Sequence, residues 1–104
     1  MTIPIPRPVR FVILHTPGPN WKYGVDFRQQ EGVGEHIQHY AKLHEQEKLQ
    51  LDGPFLVADM GGMMITTRGI AREEIEAFAA ADPAVKSGVL NYQIRPWMTV
   101  MEFN

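Results

Sequence analysis

The sequence lacks cysteine altogether. Disulfides, thiolate nucleophiles and zinc–thiolate sites are thereby excluded. It also lacks an excess of either charge: ten basic and twelve acidic residues give a net charge of −2, with no basic block. That is not the electrostatic footprint of a nucleic-acid binder. No apolar run approaches the roughly 20 residues that span a bilayer. The opening residues, MTIPIPRPVR, show no apolar stretch between a basic region and a cleavage site, so no signal peptide is expected there. A glycine-rich phosphate loop or dinucleotide fingerprint is likewise missing. With these classes removed, the expectation is a cytoplasmic protein that acts without nucleic acid or membrane.

What is present suits a single globular domain. A chain of 104 residues buries roughly 65% of its unfolded surface. That makes a core with little to spare, which a shared core with a second subunit would enlarge. Pro4, Pro6 and Pro8 make residues 1–8 an extended arm. Val9–Thr16 is rich in β-branched and aromatic residues and is apolar on both alternating faces, which calls for cover on both sides. Residues 17–30 open with Pro-Gly-Pro-Asn and read as a loop. Trp21, Tyr23 and Phe27 argue that this loop is ordered, either plugging the core or forming a shelf over a cleft.

From Val33 to about Lys48 the spacing predicts a helix with Val33, Ile37, Tyr40 and His44 on its apolar stripe. Leu49–Val57 and Met63–Thr67 read as a hairpin. Pro54 removes a ladder donor and belongs at an edge or a bulge. A second helix opens near Arg72 and stops near Asp82, since Pro83 disfavours helical geometry before it. Val89–Val100 is the last strand, with Leu90, Tyr92 and Ile94 on one face. The order βαββαβ is that of the ferredoxin-like α+β fold: a four-stranded antiparallel sheet with two helices on one face. The uncovered sheet face then calls for a second copy of the chain, so a homodimer is expected.

Two segments resemble a known family. The run HIQHYAKLHEQEKLQLDGPF (residues 36–55) is similar to the histidine helix and following strand of YciI-like, YCII-related proteins. Some members of that family carry the same Asp-Gly-Pro-Phe string, here Asp52–Phe55. The second match is an Asp-Pro ending the second helix, in FAAADPAVKSG. The resemblance spans roughly His36 to Pro96, with Val9–Thr16 as the first strand. It implies a dimeric α/β barrel and a histidine–aspartate pair in a cleft, which fall on His36 and Asp82. It also implies small-molecule, cofactor-free acid–base chemistry. One enzyme resembling the family eliminates chloride from a chlorinated hydroxyhydroquinone, and related barrels isomerise or dehalogenate muconolactones. The competing expectation is a non-catalytic dimeric module that binds a small ligand or takes part in a stress response.

Each candidate residue also has a plainer reading. His36 can be a hydrogen-bonded structural histidine, and Asp82 an ordinary helix stop. Tyr40, one turn after His36, can place its hydroxyl in the same cleft or simply fill the core. Gly53 lets a backbone or ligand come close; Pro54, Phe55 and Trp21 can wall a substrate cleft. Arg95 can hold a substrate carboxylate or pair with a surface acid. His36, His39 and His44 do not converge, because His39 and His44 stand about 140° apart around a helix. No metal site is expected from them.

Overall fold

A computed structural model describes residues 9–103. The Pro-rich arm, residues 1–8, lies outside the described residues. The elements run β1 (Val9–Pro17), α1 (Val33–Glu45), β2 (Leu49–Pro54), β3 (Gly62–Thr66), α2 (Arg72–Ala80), α3 (Pro83–Lys86) and β4 (Leu90–Met98). The four strands form one sheet in the order β2-β3-β1-β4, and every neighbouring pair is antiparallel. This is the ferredoxin-like arrangement expected from the element order, with α3 as an addition. Among the described residues no helix is long and apolar enough to cross a membrane.

Period-two alternation sets the two faces of the sheet. Phe11 and Ile13 of β1 and Met64 of β3 pack with Tyr40 and Leu43 of α1 and with Ile75 and Ala79 of α2. The opposite face carries Val12 and Leu14, paired with Ile65 and Met63. Neither α1 nor α2 supplies a core residue to that side. The two-sided apolarity of β1 is therefore real, and one of its sides has no helix on it.

Local chemistry explains where the elements stop. The residue Pro54 closes β2, which is an edge strand, so its missing N–H costs no ladder bond. The strand ends there rather than at Val57, and Phe55 leaves the sheet. α1 ends at Glu45; Glu47 takes a left-handed φ of 62°, and the Lys48 N–H returns to the Leu43 carbonyl at 3.0 Å, the pattern of a Schellman closure. Ala71 provides no side-chain cap for α2, but Ile70 packs against the core beside the fully buried Ile75.

The loop from Gly18 to Gln30 is ordered by two polar residues. Gln30 is buried, and its amide accepts from the Lys22 N–H while donating to the carbonyls of Lys22 and Val25. Asp59, in the β2–β3 connection, accepts from Trp21 Nε1 at 2.9 Å and from the Gly24 N–H. Trp21 is thus held over a small second core with Ala84, Val89 and Leu90. Tyr23 stays exposed, so two of the three loop aromatics pack and one does not.

The close backbone approach expected at Gly53 occurs instead at the start of β3. A Cβ on Gly53 would meet nothing within 4 Å, whereas one on Gly61 would lie 1.8 Å from the His15 carbonyl oxygen. Gly61 also has a φ of +79°. Gly24, at φ +81° with open space around it, provides the control. Gly24→Ala should lose only the roughly 1–2 kcal/mol of a left-handed residue. Gly61→Ala should lose clearly more in urea denaturation, because backbone must move. Equal losses in the two variants would contradict this account.

Candidate active site

The first helix turns a different stripe inward from the one its apolar spacing suggests. The buried residues of α1 are His36, Tyr40 and Leu43. Ile37 is 53% exposed, and His44 is exposed as well. The stripe is rotated by about one residue because a polar side chain, His36, belongs to it.

The second helix delivers Asp82. This residue follows α2 and serves as the N-cap of α3, its Oδ1 accepting the Ala84 N–H at 3.0 Å. Its other oxygen, Oδ2, accepts a hydrogen bond from His36 Nδ1 at 2.5 Å. The pair is buried, with the Asp82 side chain fully so. Burial pushes the Asp82 carboxyl up, but the hydrogen bond and charge of His36, with the Ala84 N–H, outweigh it and hold the group below the usual range. Nδ1 is committed to Asp82. Nε2 has no hydrogen-bond partner among the described residues. No buried side-chain nitrogen or oxygen there goes unsatisfied, so Nε2 is open to the cavity that His36 lines.

A second histidine, His15, completes the cluster. Its Nδ1 lies 3.1 Å from the Asn91 carbonyl, which can only accept, so Nδ1 carries the proton. Nε2 is then an acceptor and takes the Tyr40 hydroxyl at 2.7 Å. The His15 ring stands edge-on to His36, 5.1 Å between centroids. Burial, and then the charge of His36, push His15 down to about 4, so it is neutral at ordinary pH. Burial, helped by the charges of Asp82 and Asp52, raises the Tyr40 phenol. The sequence held one signal for His15: it continues the inward face of β1 after Phe11 and Ile13. Apolar counting stops one step short of it.

His15, His36 and Asp82 bring three potential ligand atoms within 4.8 Å of one another. In the described state His15 Nε2 is engaged by the Tyr40 hydroxyl and His36 Nδ1 by Asp82 Oδ2, so an ion held about 2 Å from each donor would have to displace both hydrogen bonds. His39 joins no such cluster. Its Nε2 donates to the Phe78 carbonyl at 2.7 Å, and its ring stacks on Phe78.

Above His36 lies a cavity of about 260 Å³, with apolar walls from Trp21, Phe27, Met64 and Leu90. Gly53 and Pro54 line it too. Three other candidates fall elsewhere. Tyr40 lies beneath, 1% exposed, with its hydroxyl given to His15. Phe55 lines a neighbouring surface hollow with Asp59 and Arg28. Arg95 pairs across the sheet with Val12, on the face turned away from the helices, and donates to Gln93. Strand parity carries it to that side: Tyr92 and Ile94 point inward, so Arg95 points out. Asp52, from the same motif as Gly53 and Pro54, does line the cavity.

Residues 9–98 match the YCII-related domain. The chain belongs to that family. The match takes in the aromatic loop as well as the segments that carry the sequence resemblance. No curated protein matches the chain in sequence. Among solved structures, it is similar to 5-chloro-2-hydroxyhydroquinone dehydrochlorinase (TftG) from Burkholderia phenoliruptrix AC1100, in complex with 2,5-dihydroxybenzoquinone. The identity is 24%, the TM-score 0.58, and the likeness covers 85% of this chain and 92% of that one. At that identity it shows a shared fold.

The neutral, buried state of His15 makes this YCII-related domain sensitive to acid. Its folded pKa, about 4, lies below the ordinary imidazole value of 6.5. The unfolded chain therefore binds more protons in that interval, and stability falls as pH drops from 6.5 towards 4. The Asp82 carboxyl, also held low, adds a loss in the same direction at still lower pH. The His15 contribution is on the order of 3 kcal/mol. Urea denaturation between pH 7.5 and 4.5 should show this slope, and His15→Gln should flatten it. A stability that is level across the window in the native sequence would contradict the assignment.

Proposed function

We propose that this chain is a small-molecule enzyme whose chemistry is proton transfer by His36, oriented by Asp82. The observation that carries the reading is the 2.5 Å Nδ1–Oδ2 bond, which leaves Nε2 facing an apolar cavity. A carboxylate on one ring nitrogen fixes the tautomer and leaves the other as the acceptor that a general base needs. The cavity is at or below the small end of the ligand-site range of about 300–1,000 Å³. A single-ring substrate suits it.

The chemistry follows from a base in an apolar enclosure. Nε2 takes a proton from a ring hydroxyl or an acidic carbon. The electron pair left behind forms a new double bond. In an elimination or dehalogenation that starts at an acidic carbon, a group on the neighbouring carbon leaves with its bonding pair; one that starts at a ring hydroxyl forms C=O, shifts the adjoining C=C and expels the group from the carbon beyond it. In an isomerisation, the proton returns at a different carbon. Either outcome makes the protein a lyase or an isomerase. The fold shared with a dehydrochlorinase of a chlorinated hydroxyhydroquinone supports a hydroxylated ring as the first class to try.

A screen of hydroxylated and halogenated quinols and lactones is the first test. With an active substrate, His36→Ala and Asp82→Ala should each lower the rate by roughly 100- to 10,000-fold. The double variant should lose little more, because the two act as one unit. A folded His36→Ala protein with full activity would end the catalytic reading. Retained rate with lost ligand affinity would instead favour a binding module.

The homodimer is part of the same proposal. Val12, Leu14, Met63 and Ile65 form an apolar patch on the face without helices, and a second copy of that face is self-complementary about a two-fold axis. Light scattering at micromolar concentration should give a mass near twice 11.8 kDa. A stable monomer would count against the barrel.

A further inference from the structure

Two polar side chains around the cavity stand apart from the rest. His15 has both ring nitrogens bonded. Trp21 gives its N–H to Asp59. Gln30 spends its amide on the loop backbone. Two lining side chains keep unpartnered polar atoms: His36, through Nε2, and Asp52. The remaining lining residues are apolar side chains or glycines.

Asp52 reaches the cavity by strand parity. It pairs with Met64 of β3, whose side chain belongs to the helix-facing core. Its carboxyl makes no hydrogen bond or ion pair within the described residues. Enclosure raises the carboxyl above its ordinary value, against the pull of the His36 and His44 charges. The acid therefore stands near His36 at the cavity mouth with nothing in the chain to bond.

Cations are missing from the same walls. No lysine or arginine lines the cavity. Arg28 lines the neighbouring hollow, where it pairs with Asp26 at 3.2 Å. Arg95 is on the other face of the sheet. A carboxylate ligand would thus meet Asp52 in front and Asp82 behind His36, without a fixed positive charge. Asp52 is solvent-exposed at the mouth, so its repulsion of a like charge is moderated by water, but the apolar walls behind it would leave a ligand carboxylate without a partner, which is costly.

We infer that the cavity selects neutral ring compounds bearing two hydroxyl groups over ring carboxylates, with Asp52 accepting a hydrogen bond from one hydroxyl while His36 accepts from the other. This rests on the reading of the cavity as the substrate site, and it narrows that reading. It favours quinols over acid-bearing lactones.

Binding needs no turnover, so the test uses two probes of similar size, hydroquinone and 4-hydroxybenzoate. Dissociation constants come from NMR titration, with the His36 ring resonances as the site marker. Hydroquinone should perturb His36 and bind at least about tenfold tighter than 4-hydroxybenzoate. Asp52→Ala should weaken hydroquinone roughly ten- to a hundred-fold, the range for a hydrogen bond to a charged group. Asp52→Asn, which keeps an acceptor and removes the charge, should improve 4-hydroxybenzoate and narrow the gap. Asp52 is exposed on an edge strand without partners, so both variants should keep the native spectrum. Equal affinity of the native protein for the two probes would overturn the inference. So would wild-type affinity for hydroquinone in Asp52→Ala; with His36 still perturbed, that result leaves the cavity reading standing. Binding that never touches the His36 resonances, or no binding of either probe, would overturn both.

Discussion

The Asp82 carboxylate is the joint on which this structure turns. It is fully buried, and a buried charge is tolerable only when paired and hydrogen-bonded. Each oxygen has a task. Oδ1 caps α3 through the Ala84 N–H, and Oδ2 holds His36. The capped turn then passes directly into β4, with the Val89 N–H returning to the Ala84 carbonyl at 3.0 Å. Ala84, Val89 and Leu90 form one wall of the cavity and pack under Trp21. One side chain therefore orients the imidazole and shapes the space above it. The cap and the histidine partner are not rival readings of an Asp-Pro dipeptide, since a carboxylate has an oxygen for each.

The backbone plan was legible because its signals are local and redundant. Pro83 after Asp82, Pro54 at a strand end and the two-sided apolarity of β1 each point to one architecture. Side-chain placement was harder wherever a polar residue faces inward. Apolar counting on α1 chose Ile37 and His44, although the buried stripe contains His36; on β1 it passed over His15. Periodicity assumes that buried means apolar, and at a polar cluster that assumption fails. The Asp-Gly-Pro-Phe string misled in another way. Its four residues are contiguous in sequence, yet the sheet ends at Pro54, so Phe55 turns into a neighbouring hollow while Asp52 enters the cavity. Strand parity from Tyr92 and Ile94 was enough to send Arg95 outward.

The two polar pairs in the core divide the work by what each leaves open. His15 and Tyr40 form a closed pair: Asn91 takes the one imidazole proton, and the Tyr40 hydroxyl fills the remaining nitrogen. His36 and Asp82 form an open pair, with Nε2 left over. The closed pair protects the open one electrostatically. His15 Nε2 lies 3.8 Å from Asp82 Oδ2, near enough for a protonated His15 to compete for the carboxylate. Burial is the main reason that it stays neutral, so no imidazolium at His15 draws the Asp82 charge away from His36. A histidine with no free nitrogen, standing next to one with a free nitrogen, is how a core of this size holds two imidazoles and one carboxylate and still presents a single defined acceptor to the cavity.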